Sequence, residues 1–182
     1  MTSSKKQSHS SKNNLPINNK YRPEIIKILE DNLSKIVNVR DATFKEDTKQ
    51  ATDMKIEIQG TDIAVRQRET NDYTFGNVCD GTSGNPDVTI RSKANGYTTE
   101  FDKIKKGYGD YYLYAWTKMK DWILYDIDKL RTNNLLNKSN LNEFDNQDGT
   151  KFIIISIIKL HYIDAIIDCS QSVNNFLNAN AR

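Results

Sequence analysis

Two short segments with alternating apolar and polar residues lie on either side of Gly60. They read "DMKIEIQ" at residues 53–59 and "DIAVRQR" at residues 62–68. Alternation with a period of two is typical of strands whose two faces meet different surroundings. Two such segments separated by a turn that contains glycine predict a β-hairpin with one apolar face and one charged face.

The charged face of this hairpin carries two arginines. With the turn at residues 60–61, Asp53 is expected to lie opposite Arg68, and Arg66 and Arg68 share one face because their positions differ by two. Like charges placed in this way need acidic partners, water, or a bound anion such as phosphate. We expect the two arginines to line a polar sheet face that binds phosphate, with Asp53 holding one of them in place.

The rest of the chain shows enough periodicity for a coarse assignment of elements. Before and after the hairpin, the pattern predicts a helix over 21–36, a polar connector over 40–50, and a long loop over 69–86. It then predicts a strand over 87–93, a short helix over 98–109, and strands over 110–116 and 122–127. The last part is predicted to contain a short helix from 128, a loop or insertion over 133–148, and a final strand over 149–160 with a helix after it. This order of elements indicates an α+β fold, in which a mixed or antiparallel sheet is flanked by helices.

Composition indicates one folded domain behind a basic tail. The chain has 182 residues, of which 37% are hydrophobic and 27% charged, so it can bury a core. Residues 1–20 carry four lysines and no acid among Ser and Asn, and we expect them to form a disordered basic tail ahead of a single domain over 21–182. The sequence shows neither a secretory signal nor an apolar run long enough to span a bilayer, so an intracellular or virion location is expected.

Several kinds of chemistry are excluded by the residues that the chain lacks. Two cysteines and two histidines give no disulfide framework and no zinc-ligand spacing. The sequence contains no Gly-x4-Gly-Lys-Ser/Thr loop, no Gly-x-Gly-x-x-Gly turn and no Gly-x-Ser-x-Gly elbow. Carboxylates, lysines and arginines remain, and they are concentrated between residues 53 and 110.

These carboxylates and lysines favour metal-dependent phosphodiester hydrolysis. That chemistry needs carboxylates to hold Mg²⁺ and a lysine or a metal-bound water to generate the nucleophile. Asp53 begins a strand, Asp87 begins another, and Glu100 begins a short helix with Lys103 on its next turn. We therefore take Asp53, Asp87 and Glu100 as candidate metal ligands, and Asp53, Glu100 and Lys103 as the candidate catalytic set.

Basic and aromatic side chains near this set suggest contacts with nucleic acid. The candidate phosphate-binding residues are Arg66, Arg68, Arg91 and Lys93. Simpler explanations stay open: Asp53 can pair with Arg68, Glu100 can serve the helix dipole, and Lys103 can be a solvated lysine. The aromatic run over 108–116 could stack on bases, but its alternation favours core packing.

The order of several motifs resembles that in a group of uncharacterised bacteriophage proteins. The resemblance spans residues 51–160 and is carried by "ATDMKIEIQGTDIAVRQR", "TIRSK", "TTEFDKIKKGYGDYYLYAW", "ILYDIDKLR" and "DGTKFIIISI". None of these motifs is by itself a catalytic signature. The resemblance therefore points to relatives more than to an activity.

The layout also resembles that of the PD-(D/E)xK nucleases, which implies a restriction-endonuclease-like core. On this resemblance Asp53 takes the place of the first metal-binding aspartate. Where that superfamily has acid-x-lysine on the next strand, this chain has Arg66, Gln67 and Arg68. The missing acid and lysine would then be Glu100 and Lys103, and a second alignment through Asp87 shares that pair.

We therefore expect a nuclease-like phage protein that cleaves DNA or RNA with Mg²⁺. One alternative is a non-catalytic nucleic-acid-binding or accessory protein on the same scaffold, which the arginine in place of the acid favours. Another is a structural or host-inhibiting viral protein without a nucleic-acid role, which the net charge of only +2 favours.

Overall fold

The structure is a computed structural model that places helices and strands along most of the chain. The residues it describes are 15–33, 36–50, 52–70, 86–94, 96, 98–116, 119–137, 141–146 and 149–180. The chain divides into two compact units, one that contains the first helix and one that begins at Ile36.

The first unit contains helix α1, Leu15–Asn32. Residues 15–20, which were predicted to belong to the tail, are therefore helical, and the rest of the predicted tail lies outside the described residues. The helix also begins ahead of the predicted start at residue 21, so that Pro23 lies inside it. The apolar stripe of the sequence is buried at Ile25 and Leu29.

The second unit is α+β, as predicted, and contains a mixed sheet. This main sheet consists of β1 (Ile36–Asp41), β2 (Met54–Ile58), β3 (Thr61–Thr70), β5 (Tyr111–Trp116), β6 (Asp121–Asp126) and β9 (Ile166–Cys169), in the order β1-β2-β3-β5-β6-β9. Its strands pair antiparallel except for β3 and β5, which are parallel. The chain that joins these two parallel strands includes one strand of a second sheet and a short helix.

A second, three-stranded sheet and five helices complete this unit as far as the structure describes it. The second sheet has the order β4-β8-β7, formed by β4 (Val88–Lys93), β7 (Glu143–Asp145) and β8 (Lys151–Ile155). The helices are α2 (Phe44–Gln50), α3 (Glu100–Lys105), α4 (Ile127–Thr132), α5 (Ile157–Tyr162) and α6 (Gln171–Asn180). None of the helices in the described ranges has the length and apolar character needed to cross a bilayer.

Further predicted segments differ from the observed elements, among them the helix over 21–36, which ends at Asn32 so that Ile36 begins β1. The polar connector over 40–50 contains α2 and the end of β1, and the loop over 133–148 contains β7. The predicted final strand over 149–160 ends at Ile155, because Ser156 caps α5 by accepting a hydrogen bond from the Ile158 N–H. Residues 71–85 of the predicted long loop lie outside the described residues.

The β2–β3 hairpin turns one residue earlier than predicted. Gln59 and Gly60 both have positive φ, which is the conformation of a two-residue type I′ turn. Met54 therefore pairs with Val65, and the Asp53 N–H donates to the Val65 carbonyl over 3.0 Å. The predicted register was wrong by two residues, so Asp53 lies opposite Arg66 and not opposite Arg68.

The face of the sheet that carries Arg66 also carries aromatic side chains of β5. Arg66 aligns with Tyr112 and Arg68 with Tyr114 in the parallel β3–β5 pairing, and aligned residues share a face. Tyr112, Tyr114 and Trp116 are fully buried in the main hydrophobic cluster, so these three members of the aromatic run pack in the core, whereas Tyr108 is exposed and Tyr111 is half-buried. The expected charged face is thus continuous with buried aromatic rings.

Candidate functional site

The guanidinium of Arg66 is the centre of a group of charged side chains beside the hairpin. Its Nε donates to Glu100 Oε1 over 2.8 Å, and its Nη1 lies 3.2 Å from Asp53 Oδ2 and 3.4 Å from Asp47 Oδ1. Lys103 lies in the same group, since its Nζ donates to the Asp47 carbonyl over 3.3 Å. We call these five residues the Arg66 cluster.

Four elements position the side chains of the Arg66 cluster. Asp53 precedes β2 and faces Arg66 on β3 because of the hairpin register. Asp47 comes from α2. Glu100 is the first residue of α3, and Lys103 follows it by three residues, so both project from the same side of that helix. The start of α3 is fixed by a capping box between Thr99 and Asp102.

Glu100 is the most deeply buried acid of the cluster. Its side chain is 5% exposed, and besides Arg66 it accepts the Tyr112 hydroxyl over 2.7 Å and the Arg91 N–H over 3.2 Å. A buried carboxylate needs such donors and an opposite charge to remain ionised. Glu100 therefore does more than serve the dipole of a short helix: it is held in the core by a cation and two further donors.

Arg66 stays charged despite its burial. Burial alone would lower the pKa of its guanidinium, but the charges of Glu100 and Asp53 outweigh burial and raise that pKa above the ordinary value. Of the three situations considered for the two arginines, acidic partners are the one observed for Arg66. The binding of phosphate by Arg66 stays a prediction.

The pKa of Lys103 shifts in the opposite direction to that of Arg66. Burial lowers the pKa of its ammonium group, and the neighbouring Arg66 cation lowers that pKa further, against the attraction of the three nearby carboxylates. A lysine with a lowered pKa gives up its proton more readily than a solvated lysine. This is the property that a general base requires.

The remaining candidate residues lie outside the Arg66 cluster. Arg91 and Lys93 are exposed on β4, where they alternate with buried residues, and the backbone N–H of Arg91 donates to Glu100 of the cluster. Asp87 is half-buried just before β4, whereas the acids that pair with Arg66 among the described residues are Asp47, Asp53 and Glu100. Arg68 lies on β3, but its side chain falls outside the described residues.

The fit of a divalent metal depends on Asp53 and Glu100. Across the described part of the chain, no three His, Cys, Asp or Glu side chains form a group that could hold a metal ion. Mg²⁺ is commonly bound by one or two carboxylates together with substrate phosphates. Asp53 and Glu100 fit that requirement in type and direction, because both contact one cationic group.

Two members of the site were missed in the sequence. Asp47 lies in a segment that was predicted to be a polar connector, and Tyr112 was assigned only to the core. A signal for Asp47 was present, since Thr43 and Glu46 form a capping box that starts α2. The role of Tyr112 depends on the parallel pairing of β3 with β5, which local periodicity cannot show.

Comparison with known proteins identifies no family. No protein-family model matches the chain, and no curated protein matches it at a significant level. The resemblance to bacteriophage proteins and to PD-(D/E)xK nucleases therefore stays a prediction. The geometry of the Arg66 cluster is therefore the basis for a proposed function.

Proposed function

We propose that this protein cleaves phosphodiester bonds of DNA or RNA with the help of Mg²⁺. The observation that carries the proposal is that Asp53, beside the hairpin, and Glu100, on α3, both contact Arg66, and that Lys103 lies on the same side of α3 as Glu100. These three side chains are of the types that such a reaction uses, two carboxylates and one lysine with a lowered pKa. A restriction-endonuclease-like core of the kind found in phage nucleases is part of the same proposal.

Each side chain has a distinct task in the proposed reaction. Asp53 and Glu100 would hold Mg²⁺, which supplies Lewis acidity at the phosphate when it is bound. The Lys103 amine takes a proton from the attacking water, whose oxygen then forms the new bond to phosphorus. The bond from phosphorus to the leaving oxygen breaks, and that oxygen is protonated by solvent. Tyr112 and the Arg91 N–H keep the Glu100 carboxylate in place.

The exposed cations of β4 are the proposed contacts to the nucleic acid. Arg91 and Lys93 point to solvent from the strand whose backbone contacts Glu100, so phosphates bound there would lie close to the carboxylates. Arg68 belongs to the same proposal through its place on β3 beside Arg66. With this activity we propose a location in the host cell or in the virion.

A second candidate function is the binding of nucleic acid without cleavage. Arg66 favours it, because one guanidinium already neutralises part of the charge of the carboxylates on which a metal would depend. A site of this kind would bind phosphates through Arg91 and Lys93 and carry no reaction. Both candidates imply binding that weakens steeply with salt, since phosphate contacts release counterions.

Cleavage assays with matched variants separate the two candidates. Plasmid and single-stranded substrates are incubated with Mg²⁺ or Mn²⁺ and the wild type, Asp53→Asn, Glu100→Gln or Lys103→Met, with folding checked by circular dichroism. We expect each variant to lose about a hundredfold or more in cleavage rate. The control Glu46→Gln changes an acid that is next to Asp47 in sequence but pairs with Arg40, and it should cut like the wild type.

The outcome for the wild type decides between cleavage and binding alone. Salt-sensitive binding without cleavage in any metal, lost in the Arg91→Ala/Lys93→Ala variant, would replace the proposal by the second candidate. Neither binding nor cleavage would contradict both candidates and favour a structural or host-inhibiting viral protein.

A further inference from the structure

The position of Arg66 in the candidate site suggests how the site is controlled. We infer that the Arg66 guanidinium is an internal cation that occupies the place of the divalent metal, so that metal binds only when Arg66 leaves Glu100. Arg66 would then set the metal affinity of the protein. This inference rests on the proposed function for the identity of the site, but its test does not require cleavage.

The contacts of Arg66 are those that a bound cation would make. Carboxylates from two distant parts of the chain, Asp53 and Glu100, direct oxygens to a single guanidinium at 3.2 and 2.8 Å. A divalent ion between the same carboxylates would need these oxygens and would lie against a positive charge. The guanidinium and the metal therefore cannot share the two carboxylates in this arrangement.

The three acids around Arg66 become more exposed from Glu100 to Asp47, so the Arg66 side chain can turn towards solvent along them. The exposed fraction of the side chain rises from 5% at Glu100 to 23% at Asp53 and 53% at Asp47. Nη1 of Arg66 already contacts the two more exposed acids, whereas Nε holds the buried one. A rotation of the side chain towards solvent would thus release Glu100 and keep the contact to Asp47.

The inference predicts that metal affinity increases when Arg66 is removed. Mn²⁺ binding is measured by titration calorimetry on the full chain for the wild type and for Arg66→Gln. We expect the variant to bind Mn²⁺ about tenfold or more tightly than the wild type, because the internal competitor is gone. The matched control is Arg40→Gln, since Arg40 also lies on the main sheet and pairs with a carboxylate, that of Glu46 on α2, and it should leave Mn²⁺ binding unchanged.

Two further measurements keep the test decisive. Arg66→Gln/Glu100→Gln should lose the gained affinity, which locates the metal at Glu100. If Arg66→Gln does not fold, the Arg66 Nε–H resonance of the wild type is followed by NMR during a Mg²⁺ titration. We expect the Nε proton to exchange slowly with water before metal is added, and to exchange faster as Arg66 leaves Glu100.

Distinct results would overturn the inference. Equal Mn²⁺ affinity of the wild type and Arg66→Gln would show that Arg66 does not compete, even if the wild type cleaves nucleic acid. An Nε–H resonance that is unchanged when Mg²⁺ binds would lead to the same conclusion. Conversely, tighter binding by Arg66→Gln with no cleavage by either protein would support the inference and contradict the proposed function.

Discussion

Two arginines on the main sheet are paired with carboxylates, and their surroundings differ sharply. Arg40 on β1 donates to both oxygens of Glu46 at 2.9 Å and lies 3.6 Å from Asp62, and its side chain is 41% exposed. We call these three residues the Arg40 cluster. Arg66 on β3 has a contact of the same length to Glu100 but is 21% exposed. The distances alone do not distinguish the two clusters.

The two clusters differ in the sequence separation of their paired residues and in how much burial strengthens the pairs. Glu46 is six residues from Arg40 in the chain, whereas Glu100 is 34 residues from Arg66. An exposed pair gains little because water screens it, but a buried pair leaves an uncompensated charge in the core when one partner is removed. The Arg66 cluster is therefore expected to dominate both stability and chemistry, although its shortest ion pair, 2.8 Å, is nearly as long as the 2.9 Å pairs of Arg40 with Glu46.

The largest effect is expected from breaking the pair of Arg66 and Glu100. Arg66→Met and Glu100→Gln should each lower the free energy of unfolding by about 3 kcal/mol, because each leaves its partner without its main counter-charge. The double variant should lose less than the sum of the two, with a coupling of about 2 kcal/mol measured by urea unfolding. Arg40→Met with Glu46→Gln should show a much smaller coupling, and equal coupling in both clusters would contradict the comparison.

A smaller effect is expected from the hydroxyl that supports Glu100. Tyr112→Phe removes an O–H donor to a buried carboxylate and should cost about 1.5–3 kcal/mol of unfolding free energy. Tyr114→Phe is the matched control, because its hydroxyl is 3.0 Å from Thr89 Oγ1, a neutral partner, and should cost about 1 kcal/mol. A larger loss in Tyr114→Phe would show that Glu100 does not depend on Tyr112.

The smallest effect on stability is expected from the Arg40 cluster, and this effect depends on pH. The hydrogen bond from Arg40 and the Thr43 N–H hold the pKa of Glu46 well below its ordinary value of 4.5. Because the folded pKa is lowered, this contribution to stability is present above the ordinary pKa and is lost as pH falls below it. Glu46→Gln should therefore flatten the acid side of the stability profile, as followed by urea midpoints at decreasing pH. A profile identical to that of the wild type would contradict this assignment.

The sequence was sufficient for the fold class and for part of the candidate site. Asp53, Glu100 and Lys103 could be grouped because each sits at the start or first turns of a recognisable element. The hairpin faces could be assigned from alternation alone, since an error of two residues in register does not exchange the faces. The alternation of residues along each strand therefore predicted the faces correctly, although the predicted pairing between the strands was wrong.

The features of the structure that were not predicted from the sequence each have a physical explanation. The turn was misplaced because Gln59 adopts positive φ, a conformation that sequence alone suggests for Gly60 but not for Gln59. Helix α2 was missed because its composition is almost entirely polar, so it carries little apolar periodicity. The pairing of Arg66 with Glu100 was missed because it depends on contacts between distant parts of the chain.

The parallel pairing of β3 with β5 has a consequence for the order of folding. At the start of this pairing, the Ala64 N–H donates to the carboxylate of Asp110, which is 46 residues later in the chain. Closing such a loop costs entropy before its contacts can repay it, so pairing of this kind forms late. Until it forms, Arg66 and Tyr112 belong to separate segments. A partly folded chain without this pairing can therefore contain the β2–β3 hairpin, with Asp53 opposite Arg66, before the contact of Arg66 with Glu100 exists.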